Sequence, residues 1–115
     1  MASGNRGAIR RPTPQSGIAP MFVHIFAFKW NDGATAAHIA AAKAAVVAFK
    51  DTCPGLVDVF IGENVSANSP GYTTSAAMLF TDRAAYDAYV VHPDHQALLG
   101  WLVPLIDPLE IDFEA

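Results

Sequence analysis

The stretch Met21–Lys29, MFVHIFAFK, constrains this chain more than any other. It is short, rich in aromatic and β-branched residues, and bounded by Asn31-Asp32-Gly33, the pattern of a strand that runs into a turn. Side chains alternate across a strand, so His24, Phe26 and Phe28 fall on one face and Val23, Ile25 and Ala27 on the other. Both sets are apolar apart from His24, so the strand is expected at the centre of a sheet with both faces covered. A chain of 115 residues is one domain, and it has to supply both covers or borrow one.

The remaining elements follow in order. Thr35–Asp51 reads as a helix: Thr35 is an N-cap residue, the alanine content favours helix, and Ile39, Ala42, Val46 and Phe49 recur at three and four residues as a buried stripe. Pro54-Gly55 ends it. Leu56–Glu63 alternates as a second strand, with Val57, Val59 and Ile61 on one side. Asn64–Gly71 is a loop by composition. Tyr72–Phe80 is a third strand with Tyr72, Thr74, Ala76, Met78 and Phe80 on one face. Thr81 or Asp82 caps a helix to about Val91, with Tyr86, Tyr89 and Val90 on one side. Further helical turns follow over His95–Val103. Leu109–Phe113 alternates Leu109, Ile111, Phe113 against Glu110, Asp112, Glu114, a strand with one wet face. The order β-α-β-β-α-β is the split βαβ arrangement of the α+β class, a ferredoxin-like four-stranded antiparallel sheet with helices on one face. The second face then needs a cover. A second copy of the chain supplies it most simply, giving a homodimer closed sheet to sheet.

Composition narrows the function classes. Residues 1–20 hold Arg6, Arg10 and Arg11, no acid and no periodicity; they are expected to form a disordered extension, or to reflect a start assigned too early. Residues 21–115 form the domain. They carry four basic and eleven acidic side chains, a net of −7, a poor electrostatic match to nucleic acid. No apolar run approaches the roughly 20 residues that span a bilayer, so no membrane partner is expected. The single cysteine, Cys53, excludes an internal disulfide, reads as a small buried apolar residue, and fits a reducing, cytoplasmic setting.

The chemistry concentrates in Tyr89-Val90-Val91-His92-Pro93-Asp94-His95. Tyrosine and histidine move protons near neutral pH, and Pro93 stiffens the corner they sit on. His92-x-x-His95 is a poor metal pair, because Pro93 spoils regular helical spacing and no familiar ligand set completes it. No phosphate loop, nucleotide fingerprint or nucleophile elbow is present, and neither a metal nor another cofactor is expected. A plainer reading stands beside the catalytic one: each histidine can simply hold the corner through a backbone hydrogen bond, and Tyr89 can be a core residue with its hydroxyl at the rim.

Met21-Phe-Val-His24 at the first strand, Pro54-Gly55 before the second, Gly62-Glu-Asn64, Gly71-Tyr72 opening the third, and Tyr89-x-x-His92-Pro93-x-His95 occur in this order. Together they resemble the stress-responsive A/B barrel (Dabb) family over residues 21 to about 113. The resemblance implies a dimeric α+β barrel. Its polyketide cyclase members, of the olivetolic acid cyclase type, close a linear polyketide by an intramolecular aldol condensation. The likeness to them carries an essential tyrosine onto Tyr89, an essential histidine onto His95 and a strand-one histidine onto His24. His92 matches a histidine without a chemical role and, with Pro93, is a structural corner. Thr74 stands where many members have a histidine.

Two functional classes stay open. One is a cofactor-independent cyclase or lyase of the aldol type. In it His95 acts as base, Tyr89 as donor, and His24, Phe26 and Phe28 line a pocket for a small apolar carbonyl or polyketide-like ligand. The other is a non-catalytic stress-responsive or ligand-binding homodimer.

Overall fold

A computed structural model describes residues 20–115. The expected N-terminal extension, residues 1–20, therefore lies outside the described residues except for Pro20. The elements are β1 (Phe22–Trp30), α1 (Ala36–Thr52), β2 (Leu56–Glu63), β3 (Thr74–Phe80), α2 (Arg83–Val90), α3 (Pro93–Leu102), a 3-10 turn (Val103–Leu105) and β4 (Ile106–Glu114). The strands form one antiparallel sheet in the order β2-β3-β1-β4, with β1 inside it, as its two apolar faces require.

The helices lie on the face that carries His24, Phe26 and Phe28. There Phe22, Phe26, Phe28, Met78 and Phe80 from the sheet meet Ala42, Val46 and Phe49 of α1, Tyr89 of α2, and Leu98 and Leu102 of α3. α1 begins at a reciprocal cap. Thr35 Oγ1 accepts from the His38 backbone N–H at 3.2 Å, and His38 Nδ1 accepts from the Thr35 N–H at 3.1 Å, which satisfies two donors that a helix start leaves orphaned. The turn after α1 depends on Gly55. Its φ is +83°, and a Cβ there would stand 2.5 Å from the Ala85 Cβ, so only glycine lets α2 approach.

The other sheet face has no helix over it among the described residues. It carries Val23, Ile25, Ala77 and Leu79 with the exposed apolar side chains Phe60, Leu109, Ile111 and Phe113. In-register pairs Val23–Phe113, Ile25–Ile111 and Ala27–Leu109 make the patch continuous from β1 to the β4 edge.

Three local expectations change. β3 begins at Thr74, and Tyr72 sits in the preceding turn with the Lys29 ammonium 4.8 Å above its ring. A bulge between Leu56 and Asp58 makes Val57 an extra residue, so it is exposed while Leu56, Val59 and Ile61 face the core. β4 runs from Ile106 to Glu114, longer than Leu109–Phe113. Its acidic set is exposed and lies on the side of the sheet that carries the helices, since Glu110 pairs with Phe26 and Asp112 with His24.

Candidate functional site

The corner after α2 organises the site. A helix end leaves its last carbonyls without partners. The Val90 carbonyl, at the end of α2, is satisfied from the next helix: His95 Nδ1–H donates to it at 2.9 Å and Gln96 Nε2 at 2.7 Å. Pro93 does more than stop α2. It is the first residue of α3, where a missing N–H costs nothing. His92 is the N-cap of α3, and its Nδ1 accepts from the Asp94 N–H at 3.1 Å.

That bond fixes the His95 tautomer. Because a carbonyl only accepts, the proton sits on Nδ1, and Nε2 carries the lone pair. Burial lowers the His95 pKa below its usual value, and the positive charges available to His24 and His92 push the same way. The Val90 carbonyl and Glu110 act in the opposite sense but do not win. His95 is therefore a neutral imidazole at pH 7, stacked on Tyr89 at 4.2 Å between ring centroids and set edge-on to Phe49.

Tyr89 is 4% exposed, and its hydroxyl finds no hydrogen-bond partner among the described residues. Burial first, then the neighbouring Cys53, Tyr86 and Glu110, raise its pKa and keep it a phenol. Cys53 is itself buried, with its thiol pKa pushed up by desolvation, the plain role expected for it.

Tyr89 and His95 share a cavity of about 270 Å³ between the helices and the sheet. His24, Phe26 and Phe28 form its floor on β1. Val46, Val90, Leu98, Leu99, Leu102 and Val103 wall it from the helices, and Ile106, Pro108, Glu110 and Tyr86 border the β4 side. The five residues expected from sequence to contact a ligand or act on it thus meet at one place; His92 and Pro93 do not line it.

Sequence reading missed the partners of His24. His24 is 5% exposed, and its Nδ1 donates to Asp112 Oδ1 at 2.5 Å. The Tyr86 hydroxyl donates to Asp112 Oδ2 at 3.4 Å, and its pKa is pushed up to about 12 by burial and by the Asp112, Glu110 and Asp87 charges. The signal lay in the strand register: once β4 pairs with β1, the residue opposite a buried histidine shares its face. His24, Glu110 and Asp112 offer donor atoms within 4.8 Å of one another, one imidazole and two carboxylates, although Asp112 is already engaged by His24 and Tyr86.

With the geometry described, comparison with known proteins becomes informative. The family model described as "Stress responsive A/B Barrel Domain" matches residues 22–115. A dimeric ferredoxin-like protein of unknown function from Jannaschia sp. CCS1 is 30% identical, with a TM-score of 0.74 over 83% of this chain and 99% of that one. A Dabb family protein with a ferredoxin-like fold from Mesorhizobium loti MAFF303099 is 25% identical, with a TM-score of 0.70 over 82% and 95%. The hydroxynitrile lyase of Passiflora edulis is 12% identical with a TM-score of 0.75 over 84% and 94%, a likeness of fold alone. No curated protein sequence matches the chain. No helix among the described residues is long and apolar enough to cross a membrane.

Proposed function

The chain belongs to the stress responsive A/B barrel domain (Dabb) family, and from that premise we propose that it is a homodimeric, cofactor-independent enzyme of the aldol type. It joins two carbons within a small apolar carbonyl compound of the polyketide kind. The observation that carries this reading is the pairing of a neutral imidazole, its Nδ1 committed to Val90, with a buried and unpartnered phenol in one apolar cavity.

His95 Nε2 takes a proton from the carbon between two carbonyls. The resulting enolate carbon attacks a second carbonyl of the same molecule, forming the new carbon–carbon bond. The Tyr89 hydroxyl donates to the oxyanion that develops there, and the proton held on His95 restores the phenol. His24, oriented by Asp112, and the rings of Phe26 and Phe28 hold the substrate. Assembly through the apolar sheet face fits the dimeric ferredoxin-like relatives and supplies the cover that β1 lacks.

A second reading rests on the ring geometry. Tyr89 and His95 stack face to face, 29° from parallel, and do not hydrogen-bond to each other, so both rings also serve as packing. On that reading the cavity binds a ligand without turning it over. Turnover of a linear poly-β-keto ester, followed by the absorbance of an aromatic product, separates the two. Cyclisation that Tyr89→Phe abolishes supports the enzyme, whereas binding without product supports the ligand-binding dimer.

A further inference from the structure

Glu110 is the one carboxylate in the cavity lining, and neither lysine nor arginine is among the described residues that border it. It projects from β4 on the helix-covered side, opposite Phe26 and one alternation from Asp112, and is exposed in the protomer, so it stands at the solvent-reached β4 edge of the pocket. Asp112 is occupied by His24 and Tyr86, whereas Glu110 has no hydrogen-bond or ion-pair partner among the described residues. Three of the four lysine and arginine side chains of the described chain are engaged elsewhere, and the fourth, Lys43, does not line the cavity. Lys50 pairs with Asp58, Arg83 with Asp87, and Lys29 lies over Tyr72.

We propose that Glu110 makes the cavity selective for an uncharged ligand that presents a hydroxyl donor at the β4 end, and makes it reject the matching carboxylate. This deepens the function proposed above and rests on its cavity, though not on its chemistry. A carboxylate entering the pocket would meet the Glu110 charge, and no lysine or arginine stands in the lining to offset it. A neutral hydroxyl could instead donate to Glu110 in a charge-assisted bond. The field of Glu110 reaches the whole site, since its charge acts on Tyr86, Tyr89 and His95 alike. Glu110 thus settles which end of a ligand points toward β4.

The test compares two probes of one skeleton, 4-pentylphenol and 4-pentylbenzoate, by calorimetric titration of the full chain at pH 7.5. The phenol is expected to bind about tenfold or more tightly than the benzoate. Glu110→Gln should narrow that gap to about threefold or less, chiefly by improving benzoate binding. In the wild type, raising salt from low ionic strength to about 0.5 M should narrow it as well, a measurement that needs no variant. Equal or tighter benzoate binding overturns the proposal. So does a gap unchanged in both Glu110→Gln and high salt, or failure of both probes to bind at millimolar concentration. Selective binding without turnover of any poly-β-keto ester would sink the enzyme and leave this inference standing; turnover without the selectivity would do the reverse.

Discussion

The Tyr89 ring lies on the His95 imidazole, centroids 4.2 Å apart, while the His95 Nδ1–H reaches back to the carbonyl of Val90, the residue that follows Tyr89. The imidazole and the phenol are thus fixed to each other by packing and by one backbone bond that the end of α2 would otherwise lack. Tyr89→Phe removes a hydroxyl that has no hydrogen-bond partner among the described residues, so the melting temperature should hardly move, with a stability change within about 0.5 kcal/mol. His95→Ala removes the proposed base and should lower the turnover of a poly-β-keto ester by about 10²–10⁴-fold. It also strips packing from Tyr89 and Phe49 and should cost about 1–3 kcal/mol. His92→Ala loses a cap, should cost about 1 kcal/mol, and should leave the rate nearly intact. Steady-state rates read beside thermal melts check all three; an unchanged rate in both Tyr89→Phe and His95→Ala removes the catalytic assignment.

The lowered pKa of His95 gives two pH signatures. Desolvation makes the folded value lower than the unfolded value of about 6.5. Between the two, the unfolded chain binds the extra proton, so the contribution of His95 to stability is present above pH ~6.5 and is lost as pH falls through the folded pKa. The acid limb of kcat/KM, which reports the free enzyme's base, should accordingly lie below pH 6.5. Chemical denaturation across pH 4–8 and a pH–rate profile should agree on that limb. A limb above pH 7 would contradict the burial of His95.

Much of this architecture is legible in the chain because local and global signals agree. Thr35 caps α1 as its residue type suggests, and the two apolar faces of β1 require a central position and leave one face to be covered. Tyr89 and His95 stand out because tyrosine and histidine move protons near neutral pH, and His24 joins them only through the resemblance to the Dabb cyclases. Which sheet face the acidic row of β4 takes is hidden in the sequence for a physical reason. An alternating strand shows which residues share a face but not which face is which, and β1 is apolar on both sides, so either orientation of β4 satisfies it. Only pairing places Asp112 opposite His24. The Val57 bulge hides similarly, since an extra residue shifts parity without any glycine or proline to mark it.

Asp112 holds His24 from one oxygen and accepts from Tyr86 with the other. Asp112→Ala should leave the buried His24 Nδ1 without its acceptor and cost about 1–2 kcal/mol, at the lower end because the Asp112 side chain is one-third exposed and water can enter. Its most specific mark is spectroscopic. Tyr86, pushed up to about 12 in part by the Asp112 charge, should titrate at lower pH in the variant. Ultraviolet titration of tyrosinate, with Tyr86→Phe used to assign the signal, reads this directly. An unshifted Tyr86 would mean that the two side chains do not share the contact.

The sheet face opposite the site argues for self-association. Phe60 is 57% and Ile111 51% exposed in the protomer, on a continuous apolar surface that also includes Val23, Ile25, Leu79, Leu109 and Phe113. A dimer through this face should bury on the order of 2,000 Å² in total, and its core should tolerate no unpaired charge. Ile111→Glu places a carboxylate beside Ile25 in the middle of that surface and should shift the mass toward monomer while lowering the melting temperature. Glu114→Gln, on the other side of the same strand, changes charge without touching the patch and should leave the mass alone. Light scattering at micromolar concentration decides. A dimer that survives Ile111→Glu must use another surface, and a wild-type protein that scatters as a monomer would leave both faces of β1 apolar with only one of them covered.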